Sequence, residues 1–291
     1  MDFKFLQDSI SGKWVISAPK RSKRPDRSKG VEPSCPFCVG READEKEVYR
    51  IGGKEGDPNW KVRVVPNKYP FAPIHEVIIH SPDHHKSFDE LPLDHTELII
   101  KTYRERFKAH QDKGKVYVFH NHGEGGGESL GHPHSQLVVI PDNVKMEIPV
   151  LPEEAKGEEF QETEFFKISC PITSEWPDEV WIHPKERGRL FSEITDLEIK
   201  DMAKVLYRTI QIFDLRHGHE FPFNFYIYPG GDWYLRLIPR LKILGGFELG
   251  TGISVNTQDP KETIAFIKEH FESPNEEKIR QVHRADYRRS V

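Results

Sequence analysis

An internal repeat constrains the fold of this chain more than any other feature of its sequence. The segments "EVIIHSP" with "SFDEL" and "EVWIHPK" with "LFSEI" match at one constant offset. The matching residues are Glu76, Val77, Ile79, His80 and Phe88 in the first copy and Glu179, Val180, Ile182, His183 and Phe191 in the second. Each copy is followed by an amphipathic helix and by two strands that a glycine turn separates. Shared residues and shared element order predict two copies of one α+β unit.

The two predicted helices carry start signals. Asp94 is the predicted N-cap of the first helix, with Glu97 three positions later, and Thr195 with Glu198 gives the same pattern in the second. A polar, proline-containing stretch from residue 141 to about residue 164 is predicted to link the halves.

Net charge limits the partners of the chain. The formal charge of -5 and the pI near 6.3 give no general attraction to nucleic acid or to an anionic membrane. Any anion must therefore be held locally, for which the basic stretch of residues 20–30 is a candidate. No stretch approaches the about 18 uninterrupted apolar residues of a membrane span, and the N-terminus lacks a signal-peptide pattern. The sequence predicts a cytoplasmic protein.

The cysteine pair in "CPFC" favours metal binding. Cys35 and Cys38 have the two-residue spacing that lets two thiolates bind one Zn²⁺. A redox pair would need a helix starting at the first cysteine within a βαβ unit, and a basic loop precedes it instead. Two more ligands must come from elsewhere, and spacing alone leaves the choice open. The candidates are His80, His84, His85 and His132.

The stretch "GEGGGESLGHPHSQ" concentrates reactive side chains. In a strand, His132, His134 and Gln136 would lie on one face, and the glycines before them would let backbone N–H groups approach an anion. The corresponding place in the second copy reads Trp-Tyr-Leu, residues 233–235, whose side chains neither attack nor bind a metal. The chemistry is therefore expected in the first half.

Seven motifs in order carry a family resemblance. The motifs are "RSKRP", "CPFC", "VVPNKYP", "SPDHHKSFDEL", the glycine-rich loop with its serine, "HPHSQ" and "GFELGTG". Over nearly the whole chain they resemble the galactose-1-phosphate uridylyltransferase family, a branch of the histidine-triad superfamily. The resemblance implies an α+β fold of two related histidine-triad-like halves, each an antiparallel sheet with packed helices. Residues 1–145 would hold the zinc and catalytic sites, and residues 146–291 would be a degenerate second half.

The resemblance also assigns site residues. It makes His134, the second histidine of "HPH", the nucleophile, and Gln136 the residue that holds the transferring phosphoryl group. Its zinc ligands are Cys35, Cys38, His84 and His132. Its substrate-binding residues are Arg21 and Arg24 at the phosphates, Asn67 and Tyr69 at the nucleoside, and Asn121 and Ser129 in the nucleotide site. The arginines, Gln136 and the loop amides would stabilise the phosphoryl charge.

The activity implied is UDP-glucose:hexose-1-phosphate uridylyltransferase, acting by a ping-pong mechanism through a uridylyl-histidine. The partners implied are a nucleotide sugar, a hexose 1-phosphate and a second copy of the chain in a homodimer, without nucleic acid or membrane. One zinc ion is expected, and the second family metal is predicted absent because "WYL" replaces its His-x-His pair. Ser135 also occurs in adenylyl-transferring relatives. The alternatives are therefore an ADP-glucose or dinucleotide phosphorylase, and a non-catalytic nucleotide-binding module.

Overall fold

The computed structural model describes residues 3–24, 34–153, 159–272, 275, 277–279 and 281. The remainder of the basic stretch, residues 25–30, and part of the predicted linker, residues 154–158, lie outside these ranges. The strands are β1 (Lys4–Gln7), β2 (Trp14–Ser17), β3 (Tyr49–Ile51), β4 (Val62–Pro66), β5 (Ile74–Ile79), β6 (Lys115–His122), β7 (His134–Ile140), β8 (Gln161–Glu162), β9 (Phe166–Ser169), β10 (Val180–Pro184), β11 (Phe223–Ile227) and β12 (Leu235–Pro239). The helices are α1 (Leu93–His110), α2 (Asp196–His217), α3 (Gly246–Thr251) and α4 (Pro260–Phe271).

One ten-stranded sheet runs through the molecule in the order β3-β4-β5-β7-β6-β11-β12-β10-β9-β8, and its strand pairs are antiparallel. The strands before residue 145 form one side of the sheet, and those after it form the other. The two sides meet where β6 pairs with β11, with Asn121 opposite Asn224. The predicted α+β class with antiparallel sheet and packed helices is confirmed, while the boundary at residue 145 stays a prediction.

The two long helices cover one face of the sheet. Alternate strand residues such as Ile78, Val118 and Leu137 bury against α1 and α2, and a single apolar core includes residues of both halves. Each Å² of apolar surface that this face removes from water stabilises the fold by about 25 cal/mol. Two segments partly cover the opposite face near Val138. They are the β1–β2 hairpin, which contributes Phe5, and the segment that follows β7. No described helix is both long and apolar enough to span a membrane.

Of the two N-caps predicted from the sequence, the structure confirms one. At α2, the Thr195 hydroxyl accepts from the Glu198 N–H at 3.2 Å, and the Glu198 carboxylate accepts from the Thr195 N–H at 2.8 Å, which confirms the predicted capping box. The predicted Asp94 cap is wrong. Helix α1 begins at Leu93, after Pro92, and Asp94 lies in its first turn. A carboxylate there still interacts favourably with the helix dipole.

The element order repeats between the halves, but the residue-by-residue match predicted from the sequence is wrong. Glu76 accepts from Arg106 and His110 of α1, on the helix-covered face. Glu179 accepts from Arg236 and from the Trp181 indole, on the opposite face. Because successive strand residues point to opposite faces, the matched strand residues of the two copies are not structurally equivalent.

Candidate active site

Two cysteines and two histidines converge beside the start of β7. One donor atom from each of Cys35, Cys38, His84 and His132 lies within 4.8 Å of all the others. The Cys38 sulfur is 3.1 Å from Nδ1 of His84, and the Cys35 sulfur is 3.6 Å from Nδ1 of His132. This is the Cys₂His₂ donor set of structural zinc sites. The four ligands implied by the resemblance thus form one group among the described residues.

The surroundings of His132 fit it to a metal. Its Nε2 lies 2.8 Å from the Ser81 carbonyl oxygen, and a carbonyl only accepts, so Nε2 carries the proton and Nδ1 presents its lone pair to the thiols. Asp83 accepts from the backbone N–H groups of residues 85 and 86, which shapes the turn that carries His84. Burial raises the pKa of Cys35 to about 11, so a thiolate there needs a cation beside it. These residues fit a zinc ion, which would hold three chain segments together.

His134 is held in the form that a nucleophile requires. Its Nδ1 lies 2.9 Å from the His132 carbonyl oxygen, so Nδ1 carries the proton and Nε2 keeps a lone pair. Burial lowers the pKa of His134, with the charge of Arg24 acting in the same direction, so the ring is neutral. His132 itself lies just before β7 and not within it, so the predicted strand alternation begins only at His134. A neutral imidazole with a lone pair on Nε2 is able to attack phosphorus.

His134 and Gln136 open into a cavity on the face of the sheet opposite the helices. The cavity has a volume of about 200 Å³. The other predicted residues that line it are Arg24, Asn67, Tyr69 and Ser129. Drug-sized ligands occupy pockets of about 300–1,000 Å³. The cavity is therefore smaller than a typical pocket for a drug-sized ligand.

Two predicted substrate residues lie outside this cavity. Arg21 donates to the Tyr69 carbonyl oxygen at 2.5 Å, and its guanidinium lies over the Phe71 ring. These two contacts stabilise the "NKYPF" loop. Asn121 lines a second cavity on the neighbouring strand, where its side-chain oxygen accepts from Asn224 at 2.8 Å. Neither residue lines the cavity into which His134 opens.

The glycine-rich loop differs from the anion cradle expected of it. The N–H groups of Gly126, Gly127 and Glu128 donate to carbonyl oxygens within the loop. A Cβ atom on Gly126 would lie 2.8 Å from the Phe223 carbonyl oxygen of the second half. The charge stabilisation expected from these three amides is therefore unavailable, and the glycine at residue 126 instead lets the loop pack closely against β11.

A buried polar network lies beneath the candidate nucleophile, on the helix-covered face. The Ser135 hydroxyl is 2.6 Å from the Tyr103 hydroxyl and 2.8 Å from Nε2 of His80. Nδ1 of His120 donates to the His134 carbonyl oxygen at 3.0 Å. Burial lowers the pKa of His80 and of His120 well below the usual value, so both rings are neutral. The network fixes the backbone of β7 where the strand begins.

Sequence reasoning missed three polar residues around these cavities. His75 on β5 contacts Gln136, and Asn224 and Arg240 of the second half line the cavity that contains Asn121. Strand alternation in "HEVII" places His75 on the same face as Val77 and Ile79, the face that carries the cavity. That alternation was the available signal. For Asn224 and Arg240 no sequence signal existed, because only the pairing of β6 with β11 brings them near.

The chain has relatives throughout its length. A family profile described as "Galactose-1-phosphate uridyl transferase, N-terminal domain" matches residues 73–140. ADP-glucose phosphorylase of Arabidopsis thaliana is 28% identical over 90% of this chain and 92% of that protein. Galactose-1-phosphate uridylyltransferase of Thermotoga maritima is 26% identical over 89% of this chain and 96% of that protein.

A solved structure agrees with these sequence relatives. The crystal structure of the Arabidopsis thaliana ADP-glucose phosphorylase with bound ADP-glucose superposes with a TM-score of 0.72 at 26% identity, covering 93% of this chain and 99% of that one. Sequence relatives, family profile and fold agree with the motifs from which the resemblance was drawn. By profile, sequence and fold, the chain is similar to the nucleotidyltransferases of the galactose-1-phosphate uridylyltransferase family.

Proposed function

We propose that this chain transfers a nucleotidyl group between sugar phosphates through a covalent intermediate on His134. The observation that carries the proposal is the bond from Nδ1 of His134 to the His132 carbonyl oxygen, which leaves Nε2 as the nucleophilic atom. Gln136, two residues along the same strand face, would donate to the phosphoryl oxygens. Arg24 would add positive charge at the mouth of the same cavity.

In the first step, Nε2 of His134 forms a bond to the phosphorus attached to the nucleoside, and the bond from that phosphorus to the bridging oxygen breaks. The sugar 1-phosphate leaves with the electron pair, as a stabilised anion that needs no proton. In the second step, an incoming phosphate oxygen attacks the nucleotidyl-histidine and releases Nε2. The residues of the cavity would therefore position and stabilise charge, without a general acid.

For the donor, we propose UDP-glucose with a hexose 1-phosphate as acceptor, as the family motifs imply. A specific observation supports a second candidate, transfer of an adenylyl group from ADP-glucose to phosphate. Ser135 occupies the position that holds glycine in many uridylyltransferases, and the Arabidopsis thaliana relative, 28% identical, is an ADP-glucose phosphorylase. Both candidates use the same histidine and the same bond changes.

We further propose one structural zinc ion, bound by the Cys₂His₂ group, and a homodimer. The support for a dimer is a run of exposed apolar side chains after β12, which a partner would cover. Its members include Ile243, Phe247, Leu249 and Ile253. Light scattering coupled to size-exclusion chromatography measures the oligomeric state, and a monomer at micromolar concentration would contradict the dimer.

The decisive experiment uses UDP-glucose and ADP-glucose labelled with ³²P in the phosphate next to the nucleoside. We expect label to become attached to the protein from one of the two donors, and to be released by hexose 1-phosphate if the donor is UDP-glucose or by inorganic phosphate if it is ADP-glucose. The labelled bond, a phosphorus–nitrogen bond to histidine, should be stable in base and labile in acid.

A matched pair of variants locates the label. His134→Ala should take up none, whereas His270→Ala, which changes a histidine on α4 away from the cavities, should label as the wild type does. Label on His134→Ala at the wild-type level would refute the assigned nucleophile. Absence of label from both donors on the wild-type protein would leave the non-catalytic nucleotide-binding module.

A further inference from the structure

The side-chain amide of Gln136 is held by its carbonyl oxygen. That oxygen lies 2.9 Å from Nε2 of His75 and 3.4 Å from Nδ2 of Asn67. His75 lies on β5 and Gln136 on the adjacent strand β7. Gln136 is opposite Val77, and His75 lies two residues before Val77 on the same face, so the two long side chains meet diagonally. Asn67 and Gln136 line the cavity into which His134 opens, and His75 contacts Gln136 without lining that cavity itself.

The proton on His75 is located by its other neighbours. The backbone N–H of Phe71 donates to Nδ1 of His75 at 3.4 Å, so Nδ1 carries the lone pair and Nε2 the hydrogen. Burial lowers the pKa of His75 to about 4, against the opposing effect of the bond to Gln136, so the ring is neutral. Nε2 also lies 3.1 Å from Nδ2 of Asn67, but both atoms are donors, so this contact is no hydrogen bond.

The side-chain amide of Asn67 also presents a donor to Gln136. Its side-chain oxygen accepts from the Tyr69 N–H at 2.8 Å, which turns its NH₂ group toward Gln136. Gln136 therefore meets two donors, from His75 and from Asn67, and only its carbonyl oxygen satisfies both. A planar amide whose oxygen is held on one side presents its NH₂ group on the other.

The orientation of this amide decides whether it helps or hinders phosphoryl transfer. Phosphoryl oxygens only accept hydrogen bonds, and charge on them must be met by donors in the transition state. Gln136 with its NH₂ group toward the cavity supplies such a donor beside His134. The flipped amide would instead present its carbonyl oxygen to the phosphoryl oxygens and repel them.

We propose that His75 is a positioning residue for nucleotidyl transfer, which sets the orientation of the Gln136 amide so that its NH₂ group faces the phosphoryl group attached to His134. This inference rests on the proposed function. Asn67 contributes the second and longer of the two contacts that hold the amide, and His75 the shorter one.

The test compares two variants with the wild type by the rate at which ³²P from the preferred nucleotide sugar becomes bound to protein. His75→Leu removes the donor, and we expect the maximal rate to fall by about 10- to 100-fold with the half-saturating substrate concentration nearly unchanged. His75→Gln restores an N–H donor at a similar reach and should recover activity to within about fivefold of wild type. Equal losses in the Leu and Gln variants would overturn the proposal.

A double-mutant cycle distinguishes positioning from a general structural role. Gln136→Ala removes the group that His75 orients and should slow labelling by about 100-fold. Adding His75→Leu to Gln136→Ala should then have little further effect, because the two changes remove one interaction. Additive losses in the double variant would contradict the inference. Absence of label on the wild-type protein would instead refute the proposed function, so the two failures are distinguishable.

A measurement on the wild-type protein keeps the inference testable if the variants do not fold. Nitrogen-15 NMR of labelled protein reports which ring nitrogen of a neutral histidine carries the proton, and the contact of the His75 ring with the Phe71 ring, 4.4 Å away between centres, assigns the signal. We expect His75 to be the Nε2–H tautomer. An Nδ1–H tautomer would leave Gln136 without this donor and would overturn the proposal.

Discussion

The carbonyl oxygen of His132 accepts the Nδ1–H of His134, while the His132 ring belongs to the Cys₂His₂ group. One residue thus joins the candidate metal site to the candidate nucleophile. Phe37, between the two cysteines, also contacts both imidazole rings, at 6.0 Å from His132 and 5.3 Å from His134 between ring centres. Loss of the metal should therefore disturb the orientation of His134 even though the ion takes no part in the bond changes.

Removal of one thiol should remove the metal. We expect Cys38→Ser to lose about one equivalent of zinc and about 10 °C of melting temperature, since bound metal at about 1,000 times its Kd stabilises by about 4 kcal/mol. Labelling of His134 should fall with it. Elemental analysis and thermal unfolding measure both effects. Cys170→Ala, which changes the cysteine outside the group, should retain the zinc, and full zinc content in Cys38→Ser would count against the site.

The glycine loop should not tolerate a methyl group at residue 126. In Gly126→Ala the new Cβ would meet the Phe223 carbonyl oxygen at 2.8 Å, so we expect a loss of about 1–3 kcal/mol in the free energy of unfolding. Gly231→Ala is the matched control, because a Cβ there has no neighbour within 4 Å and should change stability by less than about 0.5 kcal/mol. Urea unfolding compares the two, and equal stabilities would refute the close packing of the loop on β11.

The network beneath β7 should contribute to stability more than to rate. Tyr103→Phe leaves Ser135 and His80 without the buried hydroxyl, and we expect the free energy of unfolding to fall by about 1–2 kcal/mol. The labelling rate should stay within about threefold, since His120 still holds the His134 carbonyl oxygen. Tyr207→Phe, on the half-buried side of α2, is the control and should be nearly neutral. A rate loss without a stability loss would contradict this assignment.

Stability should fall as the pH is raised through the alkaline range. Burial would lower the pKa of His219, but the Asp214 carboxylate, 3.7 Å from its Nδ1, and the charges of Asp89 and Glu220 raise that pKa to about 9 from 6.5. The folded chain therefore binds this proton more tightly than the unfolded chain does, so stability is fully present below about pH 6.5 and is lost as the pH rises through about 9. Burial and the charge of Asp214 raise the pKa of Asp89 as well, which acts in the same direction.

Urea unfolding at pH 6.5 and pH 9 measures this effect. We expect the wild type to lose on the order of 1–2 kcal/mol over this range after solvent screening. His219→Gln should show a flatter dependence, while His270→Gln, on a helix away from these carboxylates, should keep the wild-type slope. An unchanged slope in His219→Gln would show that His219 does not carry the effect.

Local signals in the sequence predicted the elements better than the alignment of the halves. Thr195 was correctly identified as a cap, because a hydroxyl followed three residues later by a glutamate forms two reciprocal bonds. Asp94 gave the same pattern, but a carboxylate is also favourable inside the first turn, so the pattern fits two helix starts. The repeat correctly gave the element order. Its residue match failed because a similar apolar pattern in two strands does not fix which face each side chain occupies.

For the site, the motif resemblance located the Cys₂His₂ group, whereas the orientation of hydrogen bonds could not be derived from motifs. The group of Cys35, Cys38, His84 and His132 could be assembled from motifs, although spacing alone left the histidines open. The role of His75 depends on which ring nitrogen carries a proton, and that follows only from the position of the Phe71 N–H. Asn121 was placed near the nucleotide, but its partner Asn224 comes from the second half and is known only through strand pairing.

The pairing of β6 with β11 makes the first half of the sheet depend on the second. Strand β6 has β7 on one side and β11 on the other, over a register from Val118 to His122. A truncated chain ending near residue 145 would expose the outer backbone N–H and C=O groups of β6 as an open sheet edge, which is a template for aggregation. The second half, in which no catalytic residue was predicted, therefore covers the sheet edge of the half that carries His134. The two cannot be separated into independent modules.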